Sequence, residues 1–193
     1  MPVTAQTRVT GGQWRGRLLS TPREQLFRPT RAVVREALFN VLGAEVVGAR
    51  VVDLFAGAGT VGFEALSRGA DAVEFVDRDD RALAHVRSTA AMLQCVTRCH
   101  LARSDALRWV RAQPRALAAA TVVFVDAPYR DDAVLEVLAS LGQVPPPLVV
   151  CEHHRARALP DRIGKLAVVR RGRYGITELS YLRPAVVEDG TGE

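Results

Sequence analysis

The chemistry in this chain is concentrated where apolar runs stop. TVVFV, residues 121–125, leads straight into Asp126, Ala127, Pro128 and Tyr129. A carboxylate next to a backbone carbonyl can accept both hydrogens of an exocyclic amine. Holding the two would orient the nitrogen lone pair, and the Asp126 charge would stabilise positive charge developing on the amine as it attacks an electrophile. Pro128 would hold the loop, and Tyr129 would stack on a base turned out of its helix. A strand-ending turn with a surface tyrosine is the plain structural alternative.

Upstream, Gly57, Gly59 and Gly62 form G-x-G-x-x-G behind the run VVDLF. Glycines there permit a tight turn and let a ligand approach the backbone. Asp77 ends AVEFVD, twenty residues past Gly57, where a carboxylate suits a ribose diol. Two cofactors fit this pair: a dinucleotide, with its pyrophosphate on the helix N-terminus, and S-adenosylmethionine. Asp105, after HLARS, can accept from an adenine amine or cap the next helix, and the two roles are compatible. Phe55, Arg78 and Ala106 adjoin these positions and belong to the expected cofactor set. The amine-binding tetrapeptide selects S-adenosylmethionine, because a dehydrogenase needs a separate substrate domain and 193 residues leave no room for one.

Elements that place loops in this way are βα units. From Arg50 the chain alternates: strands ARVVDLF, ADAVEFVD, TRCHLARS, TVVFVD and PLVVCEH, with helices TVGFEALSRG, DDRALAHVRSTAAML, DALRWVRAQ and DDAVLEVLASLG between them. Such a series predicts a parallel, doubly wound α/β sheet with helices on both faces. Ligands bind beyond the carboxyl ends of those strands. KLAVVRRGRYGITELSYLRP predicts a terminal antiparallel pair turning near Gly172 to Gly175. RAVVREALFNVLGAE has helical apolar spacing, closed by Gly43 or Gly48. TRVTGGQWRGRLLS predicts a hairpin around Gly11-Gly12. The expected division is a basic arm over residues 1–30, a catalytic domain over 31–185 and a disordered tail over 186–193.

The net charge is +5, and the arm carries Arg8, Arg15, Arg17, Arg23, Arg28 and Arg31 against Glu24 alone. Arginine forks suit phosphate. Arg8, Trp14, Arg15, Arg17, Arg28 and Arg31 are therefore the expected RNA contacts, on a hairpin next to the pocket. Deleting residues 1–20 is expected to weaken RNA binding and spare cofactor binding. Phe27 and Arg28 to Thr30 line the site or simply enter the helix. Arg170, Arg171 and Arg173 form a second RNA contact or a solvated hairpin. Cys95, Cys99 and Cys151 show no zinc-ligand spacing and read as reduced structural thiols, so no metal is expected. His85, His100, His153 and His154 are assigned no chemistry. No run is long and apolar enough to span a membrane, and the start lacks a secretory signal, so a cytoplasmic monomer is expected.

GGQWRGR, FRPTRAVVREALFNVL, VVDLFAGAGTVGFEALSRGA and FVDAPY together resemble the RsmD family over residues 7–183. The resemblance implies a class I, Rossmann-like methyltransferase with a seven-stranded mixed sheet whose last strand is antiparallel. It implies S-adenosylmethionine as cofactor and guanine N2 of 16S ribosomal RNA, in an assembled or partly assembled small subunit, as target. By motif position, Asp53, Gly57 and Gly59 match the cofactor loop, Asp77 the ribose acid and Asp105 the adenine contact. Asp126 to Tyr129 match the family's D-P-P-[FY] loop, with Ala127 in place of its first proline. The carbonyl survives that change, while an alanine leaves φ freer than proline does. The alternatives are an N6-adenine or other exocyclic-amine methyltransferase on DNA, and an RNA-binding protein of this fold with weak catalysis.

Overall fold

Alternating apolar strands and amphipathic helices form a sheet covered on both faces. The computed structural model describes residues 4–22, 32–127 and 133–185. A hairpin of β1 (Thr4–Arg8) and β2 (Leu18–Pro22) precedes α1 (Ala32–Leu42). Then come β3 (Arg50–Leu54), α2 (Thr60–Ser67), β4 (Ala72–Asp77), α3 (Asp80–Met92), β5 (Cys99–Arg103) and α4 (Ala106–Ala112). After α5 (Pro114–Ala119) follow β6 (Val122–Val125), α6 (Ala133–Leu141) and β7 (Leu148–His154). β8 (Arg162–Ile163), β9 (Leu166–Tyr174) and β10 (Thr177–Pro184) end the fold.

The main sheet runs β5-β4-β3-β6-β7-β10-β9-β8. β3 to β7 are mutually parallel, and β10 is antiparallel to both β7 and β9. The seven expected strands are all present, and the two-residue β8 adds an eighth at the edge beside β9. Chain order reverses between β3 and β6, so the crevice for a ligand opens at their carboxyl ends. The terminal pair turns at Gly175, while Gly172 lies inside β9, against the side chain of Tyr174. α5 was not expected. Its sequence cue is Pro114 at the first helical turn, where the missing N–H costs nothing.

Strand alternation builds two cores. Val51, Phe75, Phe124 and Val150 face one side with Phe39 of α1 and Phe63 of α2. Leu54, Val125, Val149 and Cys151 face the other with Trp109 of α4 and Leu138 of α6. The rings interlock, Phe39 edge-on to Phe124 at 5.9 Å and Phe63 against Phe75 at 5.1 Å.

The hairpin is fastened to the domain rather than hung from it. Val9 and Leu19 belong to the same core as Phe39 and Phe63. Its connection, residues 9–17, docks on the second half of α2. The buried Glu64 carboxylate accepts from Thr10 N–H at 2.9 Å, Thr10 Oγ1 at 2.6 Å and Gly11 N–H at 2.8 Å. Arg68, stacked over the Phe39 ring, donates to the same carboxylate at 3.0 Å. Arg35, only 1% exposed, stands 3.7 Å from Glu64 and donates to Thr7 Oγ1 and Arg8 O. Gly12 is left-handed, and a Cβ there would stand 1.9 Å from the Ser67 carbonyl oxygen, so no other residue fits. Of the arm expected over residues 1–30, the described part is thus integral to the domain fold.

Candidate active site

The glycine loop follows from how β3 must hand over to α2. Phe55, Gly57 and Gly59 all have positive φ, at 63°, 52° and 72°. For Phe55 that conformation costs about 1–2 kcal/mol, strain of the kind held at ligand clamps. Gly62 serves packing instead: a Cβ there would lie 2.3 Å from the Phe75 ring, so its absence lets α2 close onto β4.

Gly59 caps α2 and has no side chain with which to do so. Asp53 supplies the missing acceptor from below, its Oδ2 taking the Gly62 N–H at 3.0 Å. Asp53 is 2% exposed. Burial pushes its carboxyl up to about 7, against the Gly62 hydrogen bond and with help from the nearby Asp77 charge. Asp53 therefore supports the loop from within the core.

Asp77 ties β4 to the same loop. Its Oδ2 accepts from Gly57 N–H at 2.8 Å and its Oδ1 from Asp79 N–H at 2.9 Å. Each carboxylate oxygen retains a second acceptor site. Arg78 is exposed beside it. Asp105 caps α4, accepting from Arg108 N–H at 3.0 Å, and Ala106 is buried behind it. The expected capping role of Asp105 is thus present.

Asp126 lies just beyond β6, half-buried, with its N–H 3.5 Å from Leu54 O. Ala127 is 3% exposed, so packing constrains the residue that lacks the proline ring. Pro128 and Tyr129 lie outside the described residues, as do Arg28 and Arg31.

The register brings these loops to one level. Leu54 is paired with Val76 and Val125, and Val125 with Cys151. One residue on, Asp77, Phe55, Asp126 and Glu152 form a row across four adjacent strands. At about 4.8 Å between strands, Asp77 and Asp126 are roughly 10 Å apart at their backbones. Glu152 was not anticipated from the sequence, where it is one letter in PLVVCEH.

The basic groups are placed differently from the expectation. Trp14 N–H donates to Ser67 Oγ at 3.0 Å, and its half-buried indole packs on the core. Ser67 ends α2, whose eight residues put it about 11 Å from the glycine loop at the other end. The connection with Trp14 and Arg15 therefore lies away from the loop, not next to it. Arg8, Arg15 and Arg17 are exposed, with Arg8 donating to Gly16 O. Arg171 and Arg173 both pair with the buried Glu178, and Arg171 also with Asp161. Burial opposes the Glu178 charge, but these arginines hold its carboxyl below the usual range.

His85 and His153 make structural contacts. His85 contacts Ser20 O, joining α3 to β2. His153 is buried, 2.9 Å from Ser180 Oγ, and burial lowers its pKa. All three cysteines are buried free thiols, with Cys95 and Cys99 sulfurs 3.8 Å apart. Among the described residues no His, Cys, Asp or Glu cluster could hold a metal, and no helix is long and apolar enough to cross a membrane.

Residues 7–183 match the family described as Conserved hypothetical protein 95. YlbH of Bacillus subtilis, proposed to be an rRNA methyltransferase, is 34% identical over 91% of this chain and 98% of its own. Ribosomal RNA small subunit methyltransferase D of Escherichia coli K12 is 35% identical over 70% of this chain and 66% of its own. Among solved structures, yhhF of Escherichia coli, a proposed methyltransferase, superposes with a TM-score of 0.81 at 28% identity, covering 94% of this chain and 99% of that one. The matched span, the strand order and the glycine loop agree: the chain belongs to this family, the RsmD family, and has its class I methyltransferase fold.

Proposed function

We propose that this protein methylates the exocyclic N2 amine of a guanine in small-subunit ribosomal RNA, in an assembled or partly assembled particle. The coarser activity, S-adenosylmethionine-dependent rRNA methylation, is supported by the relatives' names and by family membership. The observation that supports amine methylation is the row of Asp77, Phe55 and Asp126 at the switch point of the sheet, and the choice of guanine N2 rests on the family resemblance.

The residues present fit S-adenosylmethionine. The strained backbone from Phe55 to Gly59 forms a shelf for its methionine part, and the remaining acceptor sites of Asp77 suit the ribose hydroxyls. Asp105 and Ala106 would hold the adenine end, and exposed Arg78 would lie beside the ribose. When bound, the cofactor supplies an electrophilic methyl group. Asp126 and the Ala127 carbonyl then do two things. They accept the two amine hydrogens, which aims the nitrogen lone pair, and Asp126 stabilises the positive charge that grows on nitrogen. The same carboxylate would take the surplus proton from the methylated amine. Of the expected RNA contacts, Arg8, Arg15 and Arg17 are described and exposed, and would contact RNA phosphates.

The test is the identity of the product nucleoside. Small subunits from a strain lacking the enzyme are treated with the protein and labelled S-adenosylmethionine, then digested and resolved by mass spectrometry. Label in N2-methylguanosine is expected. Label in N6-methyladenosine, or none with cofactor bound, would sink the reading.

A further inference from the structure

We infer that Glu152, at the carboxyl end of β7, is a specificity-determining residue that reads the N1–H of the target guanine beside Asp126. This rests on the proposed amine methylation and assigns the group that selects guanine.

Three observations place Glu152 at the reacting edge. First, the β6–β7 ladder ends at Val125 and Cys151, so Asp126 and Glu152 are the next residues on neighbouring strands. Their backbones are about 4.8 Å apart. Second, they share a face. Phe124 and Val150 belong to the core on the α1–α2 side, and two residues on, the period-two alternation returns Asp126 and Glu152 to that side. Asp53 and Asp77 reach it by the same alternation, and Asp53 bonds α2 from there. Third, both carboxylates act on the same buried group: burial raises the Cys151 thiol pKa most, and the charges of Asp126 and Glu152 raise it further. Glu152 is half-buried, and its charge acts on the Arg35 guanidinium of α1, which packs on that same side of the sheet.

Two carboxyl groups in line offer two acceptors, which suit two donors in line. Guanine presents N1–H next to its N2 amine. Adenine and cytosine present an amine next to an unprotonated ring nitrogen, whose lone pair would face a carboxylate. A polar site of this kind rejects the wrong partner, because a carboxylate oxygen and a ring lone pair repel each other where a donor is needed. Asp126 alone has no such preference, since any exocyclic amine satisfies it.

The test uses small subunits carrying guanine or 2-aminopurine at the methylated position. 2-Aminopurine keeps the N2 amine and replaces N1–H by a lone pair. The wild-type protein is expected to lose about 10- to 100-fold in kcat/KM on 2-aminopurine. Glu152→Gln can donate to that lone pair, so the preference should fall to within a few-fold, with the Kd for S-adenosylmethionine unchanged. Glu152→Asp keeps the charge but retracts it; it should slow guanine methylation and keep the preference. A Glu152→Gln protein that binds cofactor and discriminates as the wild type does would overturn the assignment. So would a Glu152→Asp protein that loses the preference. If the wild type puts no label on guanine N2 at all, the underlying reading fails and this assignment falls with it.

Discussion

Replacing Glu64 with alanine should destabilise the whole domain, although Glu64 lies on the far half of α2 from the reacting edge. Its carboxylate is 1% exposed and collects Thr10 N–H, Thr10 Oγ1, Gly11 N–H and Arg68 Nε. Removing it leaves three hairpin donors without their acceptor. It also removes the nearest counter-charge from Arg35, a guanidinium that burial already penalises. Breaking one side of a buried charge pair costs about 3–5 kcal/mol. For a chain of this size, each kcal/mol lowers the melting temperature by about 2–4 °C, so a fall on the order of 10 °C is expected. Urea denaturation followed by circular dichroism gives the free energy directly. A loss under about 1 kcal/mol would refute the idea that this network fastens the hairpin. By the same reasoning, deleting residues 1–20 should abolish cooperative folding and lower cofactor and RNA affinity together. The sequence alone suggested that cofactor binding would be spared; the buried Glu64–Arg35 pair is why it should not be.

Asp53 gives a pH dependence of definite sign. Its folded pKa of about 7 exceeds the reference 3.8, so the folded state holds the proton longer and stability falls as pH rises from about 4 to 7. At about 1.4 kcal/mol per pH unit the full effect is on the order of 4 kcal/mol. Asp53→Asn keeps an acceptor for Gly62 N–H and should flatten that slope between pH 4 and pH 8; an unchanged slope in urea titrations would refute it. Asp77→Ala removes the acceptor joining β4 to the glycine loop and the proposed ribose contact. It should weaken S-adenosylmethionine binding by about 10- to 100-fold in calorimetry, and a change below twofold would argue against the ribose role. Ala127→Pro should leave turnover within about twofold, because packing already constrains this buried residue; a tenfold gain would show that loop freedom limits the natural enzyme.

Much of the site was legible because its signals are local. The glycine spacing, the acid twenty residues on and Asp126-Ala127 each lie in a single loop, and βα alternation puts these described residues at one edge of the sheet. What stayed hidden depends on pairing between distant segments. Glu152 becomes conspicuous only once Val125 is set beside Cys151. Glu64 and Arg35 look like surface charges on two amphipathic helices until the hairpin folds over them. Trp14 and its neighbouring arginines suggested an RNA hairpin at the pocket, yet Gly12 and Ser67 dock that connection at the opposite end of α2. The Arg170, Arg171 and Arg173 group reads equally as an RNA contact or a solvated hairpin; only the sheet register shows Glu178 of β10 opposite Arg173 of β9, where it engages both Arg171 and Arg173.

The central claim is that Asp126 directs methyl transfer to an exocyclic amine without holding the cofactor. The direct measurement compares wild type with Asp126→Ala for transfer of labelled methyl from S-adenosylmethionine to unmethylated small subunits, with cofactor Kd measured in parallel. The account predicts that transfer falls by at least about 100-fold while Kd stays within about twofold. Transfer near the wild-type rate, or a Kd that collapses with it, would contradict the account.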